Sequence, residues 1–172
     1  AIGQSMADKS RLSFCVVGDL AFFYDMNALG IRDIDANLRI ILINNGEGVE
    51  FRLNKALERQ WGSDTDDLIA ARGHFGSARA WAESMGFAYL SASTKNDFDD
   101  TIKEFMSADI AAFSGRPVLF EAFTQVVDEQ RALDNFRDYN RPVRQKVRQS
   151  KARRLAKKMP KSLKHVAKRV MR

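Results

Sequence analysis

Four short apolar runs separated by helical stretches predict an α/β fold, a mostly parallel sheet flanked by helices. The runs are LSFCVV at 12–17, LRIILI at 38–43, FAYLSA at 87–92 and VLFEAF at 118–123. They are largely continuous rather than alternating, as strands covered on both faces are, and intervening helices make neighbouring strands parallel. A charge partition adds a separate end. Residues 141–172 carry 14 Lys/Arg and no acid, which predicts a basic helical C-terminal tail.

Between the first two strands, residues 20–30 read as a helix ending at Gly30, followed by the polar loop RDIDAN. A short helix is expected over 53–61, then the irregular segment GSDTDDLIAARGHFG. A helix from about Ser77 to Met85 closes at Gly86, where glycine is the usual stop. Residues 96–112 read as a helix with Phe98, Ile102, Phe105 and Met106 on one stripe, and Gly115-Arg116-Pro117 breaks the chain before the fourth strand. There is no internal repeat.

The chain has 172 residues, 45% hydrophobic and 29% charged, enough for one domain with a real core. Its single cysteine, Cys15, excludes an intrachain disulfide framework and reads as a small buried hydrophobe. Cysteine usage of this kind suits a reducing, cytoplasmic setting. No apolar run approaches the roughly 18 to 20 residues of a membrane span. The net charge of +6 hides opposite halves: residues 1–140 hold 14 Lys/Arg against 22 Asp/Glu, a balance of −8. An acidic body at 1–140 and a basic tail at 141–172 are therefore expected as separate regions, and the overall charge says little about what the body binds.

The residues that carry chemistry lie at two strand ends. Asp19 follows the first strand, and Asn44-Asn45 ends the second. Ligands of open α/β sheets bind outside the carboxyl ends of the strands, so two adjacent parallel strands bring Asp19 and Asn45 to one rim. A carboxylate and an amide carbonyl are hard oxygen donors of the kind Mg²⁺ takes alongside substrate phosphates. Gly46-Glu47-Gly48 supplies backbone that can approach an anion. Read alone, Asp19 fits a helix cap equally well.

Gly18-Asp19, a gap of about 25 residues, and Asn44-Asn45 at a strand end resemble the binding motif of thiamine diphosphate-dependent enzymes. GDLAFFYDMNALG is similar to the form that motif takes in the menaquinone-pathway branch of the family, and the chain also resembles acetolactate synthase-like proteins. HFGSARAWAESMGFAYL (74–90), GRPVLFEAFT (115–124) with DEQRAL, and the opening AIGQSMA resemble later and earlier elements of the same fold, so the likeness spans about 1–135. The resemblance implies that Asp19, Asn45 and the backbone carbonyl of Glu47 hold Mg²⁺. It implies that Gly18, Leu20, Ala21, Asn44, Gly46 and Gly48 line thiamine diphosphate.

It also implies decarboxylation of a 2-oxo acid substrate, with or without ligation of the product to an acceptor, and a homo-oligomer. The chain departs from the pattern at Glu47, where a small residue is usual, and at VEFR (49–52), where the menaquinone branch is hydrophobic. The glutamate that activates the cofactor in this family belongs to a separate pyrimidine-binding domain. Residues 1–140 are therefore expected to be part of a diphosphate-binding domain in the C-terminal portion of a longer enzyme, inactive alone.

Other residues have two readings. His74 is an acid–base candidate near the rim or a structural group at a helix start, the latter favoured. Glu47 and Glu50 handle protons or are exposed loop carboxylates. Asp25 and Asn27 support the site or satisfy helix backbone, and Trp61 and Trp81 read as packing residues. In the tail, Val143, Val147, Leu155, Met159, Leu163, Val166 and Val170 recur at helical spacings divided by Pro160. Such a basic amphipathic pattern packs on its own protein or lies on an anionic membrane surface, and the scarcity of aromatic residues argues against nucleic acid. A non-catalytic interaction module tethered by this tail to a membrane surface or an acidic partner is the alternative to an enzyme.

Overall fold

The computed structural model describes residues 1–49, 60 and 73–139. Helix α1 (Ile2–Ala7) leads into β1 (Ser13–Gly18), α2 (Asp19–Asp25) and a 3₁₀ turn at Met26–Gly30. Then follow β2 (Leu38–Asn44), α3 (Arg79–Ser84), β3 (Ala88–Ala92), α4 (Lys95–Phe105), a 3₁₀ turn at Ile110–Phe113, β4 (Val118–Phe123) and α5 (Val126–Tyr139). The expected helix at 53–61, both Trp61 and Glu50, and the tail at 141–172 lie outside the described residues.

The four described strands form one all-parallel sheet in the order β1-β2-β4-β3. This is the α/β architecture expected from the apolar runs, and each strand falls within one or two residues of its run. Central strands β2 and β4 are buried along nearly their whole length, which explains their unbroken apolar sequence. On one face of the sheet Phe22, Leu29, Leu38, Ile40, Leu42, Phe87 and Leu119 form the core, with α3 supplying Ala82 and α2 supplying Phe22. On the other face Phe105, Phe113, Val118 and Phe120 pack together, covered by α4 through Phe98 and Ile102. Phe120 touches both Phe98 and Phe105 at ring distances of 5.4 and 5.6 Å.

Two helices are shorter than the periodicity suggests, each for a local reason. The 20–30 stretch is α-helical to Asp25 and then tightens into the 3₁₀ turn. Trp81 Nε1 donates to the Met26 carbonyl at 2.8 Å, so that carbonyl has a tertiary partner where the α-helix gives way. The 96–112 stretch stops at Phe105 because polar side chains offer its backbone another partner. Ser107 Oγ accepts from the Asp109 amide at 3.2 Å, and Asp109 Oδ1 accepts from the Ala111 amide at 2.9 Å. At the chain reversal that follows, Ser114 and Gly115 both have positive φ, 55° and 68°.

The chain forms two compact units, residues 1–128 and a second from Glu129 onward. All residues of the candidate site lie in the first. Helix α5 runs across the boundary and buries none of its side chains. Among the described residues no helix is long and apolar enough to cross a membrane.

Candidate functional site

Parallel register places the polar residues. Gly18 pairs with Ile43, so one step further Asp19 stands beside Asn44, and Asn44 in turn pairs with Phe123 of β4. Asp19 and Asn44 are both buried, 2% and 4% exposed, although both are polar. Such burial demands partners.

Asp19 Oδ1 accepts the Leu20 amide at 2.7 Å, and its Oδ2 accepts the Gly46 amide at 2.7 Å. The same Oδ2 lies 3.3 Å from His74 Nε2. His74 Nδ1 accepts the Gly76 amide at 3.0 Å, which leaves the ring proton to Nε2. The approach of Nε2 to Oδ2 is close without hydrogen-bond geometry, and Nε2 has no other hydrogen-bond partner among the described residues. His74 thus stands against Asp19, five residues ahead of α3 rather than at the helix start.

The loop after β2 is bound to the segment before α3 by its glycine. Gly46 has φ of 76°, and a Cβ there would sit 2.8 Å from the His74 carbonyl. In return the His74 amide donates to the Gly46 carbonyl at 2.8 Å. Only glycine satisfies both the left-handed backbone and the close approach. Asn45 Oδ1 accepts the Glu47 amide at 2.9 Å, an Asx turn that folds the loop on itself.

The two asparagines therefore face different ways. Asn45 is in the loop, half-buried, whereas Asn44 turns inward, its Nδ2 donating to the Gly76 carbonyl at 2.8 Å and to Glu121 Oε1 at 2.7 Å. Gly18 and Ala21 are exposed at the rim, Leu20 is half-buried and Gly48 is buried. Asp25 and Asn27 are exposed. Trp81 packs against the core, as expected of it.

Beside Asp19 opens a cavity of about 370 Å³ lined by Leu20, Phe23, Tyr24, His74 and Gly76. Phe23 meets the His74 ring edge to face at 5.1 Å, which fixes the imidazole plane. The site is thus a buried carboxylate and a glycine-rich loop at the mouth of an apolar cavity.

Glu121 is the residue that sequence reasoning missed. It sits in the middle of β4, fully buried, and accepts from Asn44, Ser77, Tyr89 and the Ala78 amide. Burial first, and then the hydrogen bond to Glu121, push the Tyr89 phenol up to about 12. The one available signal was a carboxylate interrupting the apolar run VLFEAF.

Fold and rim together define a class: a parallel α/β domain whose carboxyl-end loops carry a buried carboxylate, paired asparagines and a tight glycine turn beside an apolar cavity. Comparison with known proteins narrows it. The chain is similar to the 2-succinyl-5-enolpyruvyl-6-hydroxy-3-cyclohexene-1-carboxylate synthase of Bacteroides fragilis, 38% identical over 136 residues, 79% of this chain and 23% of that protein. It is 36% identical over 146 residues to the synthase of the same name from Bacteroides thetaiotaomicron, covering 85% of this chain and 24% of that protein. The corresponding synthase of Phocaeicola vulgatus is 34% identical over 146 residues. Over this segment the chain is homologous to that synthase family, the branch its motif resembles, and it spans about a quarter of the length of these curated relatives. No family model matches the chain.

Proposed function

We propose that this chain is the diphosphate- and Mg²⁺-holding part of a thiamine diphosphate-dependent enzyme that decarboxylates a 2-oxo acid and ligates the product to an acceptor. The observation that carries the reading is the placement of Asp19: a buried carboxylate at a strand end, bound to a glycine turn and flanked by Leu20 and His74 of the cavity wall. The donor set suits the ion. Asp19 and Asn45 offer hard oxygen donors of the kind Mg²⁺ takes.

In this reading Asp19, the Asn45 side chain and the Glu47 carbonyl hold Mg²⁺, and Gly46 and Gly48 let the backbone approach the diphosphate. Leu20, Ala21 and Gly18 line the cofactor. Thiamine diphosphate, when bound, supplies the carbanion chemistry by which a 2-oxo acid loses carbon dioxide. The residues of this chain bind and orient. Leu20, Phe23 and Tyr24 supply the apolar lining of the neighbouring cavity. The group that activates the cofactor comes from a pyrimidine-binding domain elsewhere in the protein or from a second copy, so an oligomer belongs to the proposal.

Calorimetry on the whole protein tests it. Thiamine diphosphate should bind only with Mg²⁺, and Asp19→Ala or Asn45→Ala should remove that binding while circular dichroism remains that of the wild type. Wild-type affinity in both variants would sink the assignment. The tail at 141–172, with 14 cations and no acid, is proposed to dock on anionic lipid. Vesicle sedimentation with and without those residues checks this, and equal binding by both forms refutes it.

A further inference from the structure

The proposed site leaves a fully buried carboxylate unused. Glu121 of β4 divides its contacts between its two oxygens. Oε2 accepts from Tyr89 Oη at 2.6 Å and Ser77 Oγ at 2.7 Å, with the Ala78 amide at 3.2 Å. Oε1 accepts from Asn44 Nδ2 at 2.7 Å and from the Ala78 amide at 3.1 Å. Every partner is a donor, which an ionised carboxylate, an acceptor only, matches.

The Oε1 side continues to the rim. Asn44 Nδ2 has two hydrogens, and both are committed, one to Glu121 and one to the Gly76 carbonyl. A flipped amide would press its carbonyl against two other oxygens. Asn44 Oδ1 is therefore fixed in orientation, and it accepts the Gly46 amide at 3.2 Å, the same N–H that Asp19 Oδ2 accepts at 2.7 Å. One hydrogen-bonded chain thus runs from Tyr89 on β3 through Glu121, Asn44 and Gly46 to Asp19.

From this chain of contacts we infer that Glu121 is a positioning residue, which fixes the Asn44 amide and through it the Gly46 turn against Asp19. It does not line the cavity. The consequence for ligand binding rests on the function proposed above; the consequence for the loop does not.

Glu121→Gln tests the inference in the whole protein. The glutamine keeps its carbonyl towards Asn44 Nδ2 and the Ala78 amide and turns its NH₂ to the hydroxyls of Ser77 and Tyr89, which can accept, so the Asn44 amide exchanges a charged acceptor for a neutral one with little change in side-chain volume. Two readouts follow: hydrogen exchange of the Gly46 amide, and the Mg²⁺ concentration for half-maximal thiamine diphosphate binding. Each should rise about fivefold, the difference between a charge-assisted and a neutral hydrogen bond. Tyr89→Phe is the control, because it removes a donor from Oε2 and leaves the Asn44 arm intact. It should lower stability and leave both readouts within about twofold.

Unchanged Gly46 exchange in Glu121→Gln overturns the inference, as does an equal shift in Tyr89→Phe. Faster exchange with unchanged Mg²⁺ dependence overturns the link to the ligand. Should Glu121→Gln not fold, Glu121→Asp, which draws the carboxylate back by one methylene, is held to the same criteria. If the wild-type protein shows no Mg²⁺-dependent binding, the proposed function falls, and Gly46 exchange alone decides the positioning role.

Discussion

At the amino end of β2, Asn37 and Arg39 turn their donors onto backbone carbonyls, whereas at its carboxyl end Asn44 passes its hydrogen bonds onward to the rim. Asn37 Nδ2 is shared among the carbonyls of Ser5, Asp8 and Arg11 at 3.0, 3.1 and 3.0 Å, tying the α1 segment to the sheet. Arg39 Nη1 donates to the Ala36 carbonyl at 2.6 Å, and the guanidinium stacks 5.0 Å over Phe113. Burial draws that guanidinium below its usual range. At this end each chain of contacts closes on backbone within one step. At the other end the chain continues through four residues and finishes on Asp19, with the His74 ring 3.3 Å away. Buried polar groups in one strand thus serve two purposes, and the difference lies in whether the last partner is backbone or the Asp19 side chain at the rim.

Gly46→Ala should produce the largest change, because it strikes the carboxyl end alone. A methyl group at φ of 76° and 2.8 Å from the His74 carbonyl must move the turn or the His74 segment. Strain of this kind costs about 1–3 kcal/mol. Mg²⁺-dependent binding, read by calorimetry, should fall by more than the stability change explains, since both acceptors of the Gly46 amide lose their register. If denaturant unfolding shows the full cost while binding stays at wild-type strength, the rim is structural and the contrast between the two ends disappears.

How much of this was legible beforehand follows from how local each feature is. The four strands were readable because an unbroken apolar run reports burial on both faces directly. Asp19 and Asn45 were readable because strand ends are marked by where the runs stop. Glu121 was not, because its donors come from Ser77, Tyr89 and Asn44, which lie 44, 32 and 77 residues away in sequence. Only the strand order brings them together. The early end of α4 escaped notice for the opposite reason: Ser107 and Asp109 act over two residues, too short a range for a helical stripe to register.

Asn37→Ala should have the next effect, confined to stability. It withdraws the donor shared by three carbonyls and leaves at least one of them buried without a partner, a cost of about 1–3 kcal/mol. Urea unfolding should show that loss with Mg²⁺-dependent binding unchanged once the protein is folded. A loss of ligand affinity at temperatures where the variant is fully folded would mean the two ends are coupled through β2, and would weaken the distinction between them.

The smallest change is expected from Arg39→Met. Arg39 is fully buried, yet Nε and Nη2 have no hydrogen-bond partner among the described residues. An uncompensated buried cation is costly, and a well-packed apolar residue in its place is often neutral or stabilising. Methionine has a similar reach and can keep contact with the Phe113 ring through its sulfur. Against this stands one lost hydrogen bond to the Ala36 carbonyl, worth about 1.5–3 kcal/mol when the donor is charged. The two terms oppose each other, so urea unfolding should place the variant within about 1 kcal/mol of wild type. A loss above about 3 kcal/mol, the cost of breaking a buried ion pair, would mean that the guanidinium has an essential anionic partner. The amino end would then hold an open-ended contact of its own, and the contrast with the carboxyl end would have to be redrawn.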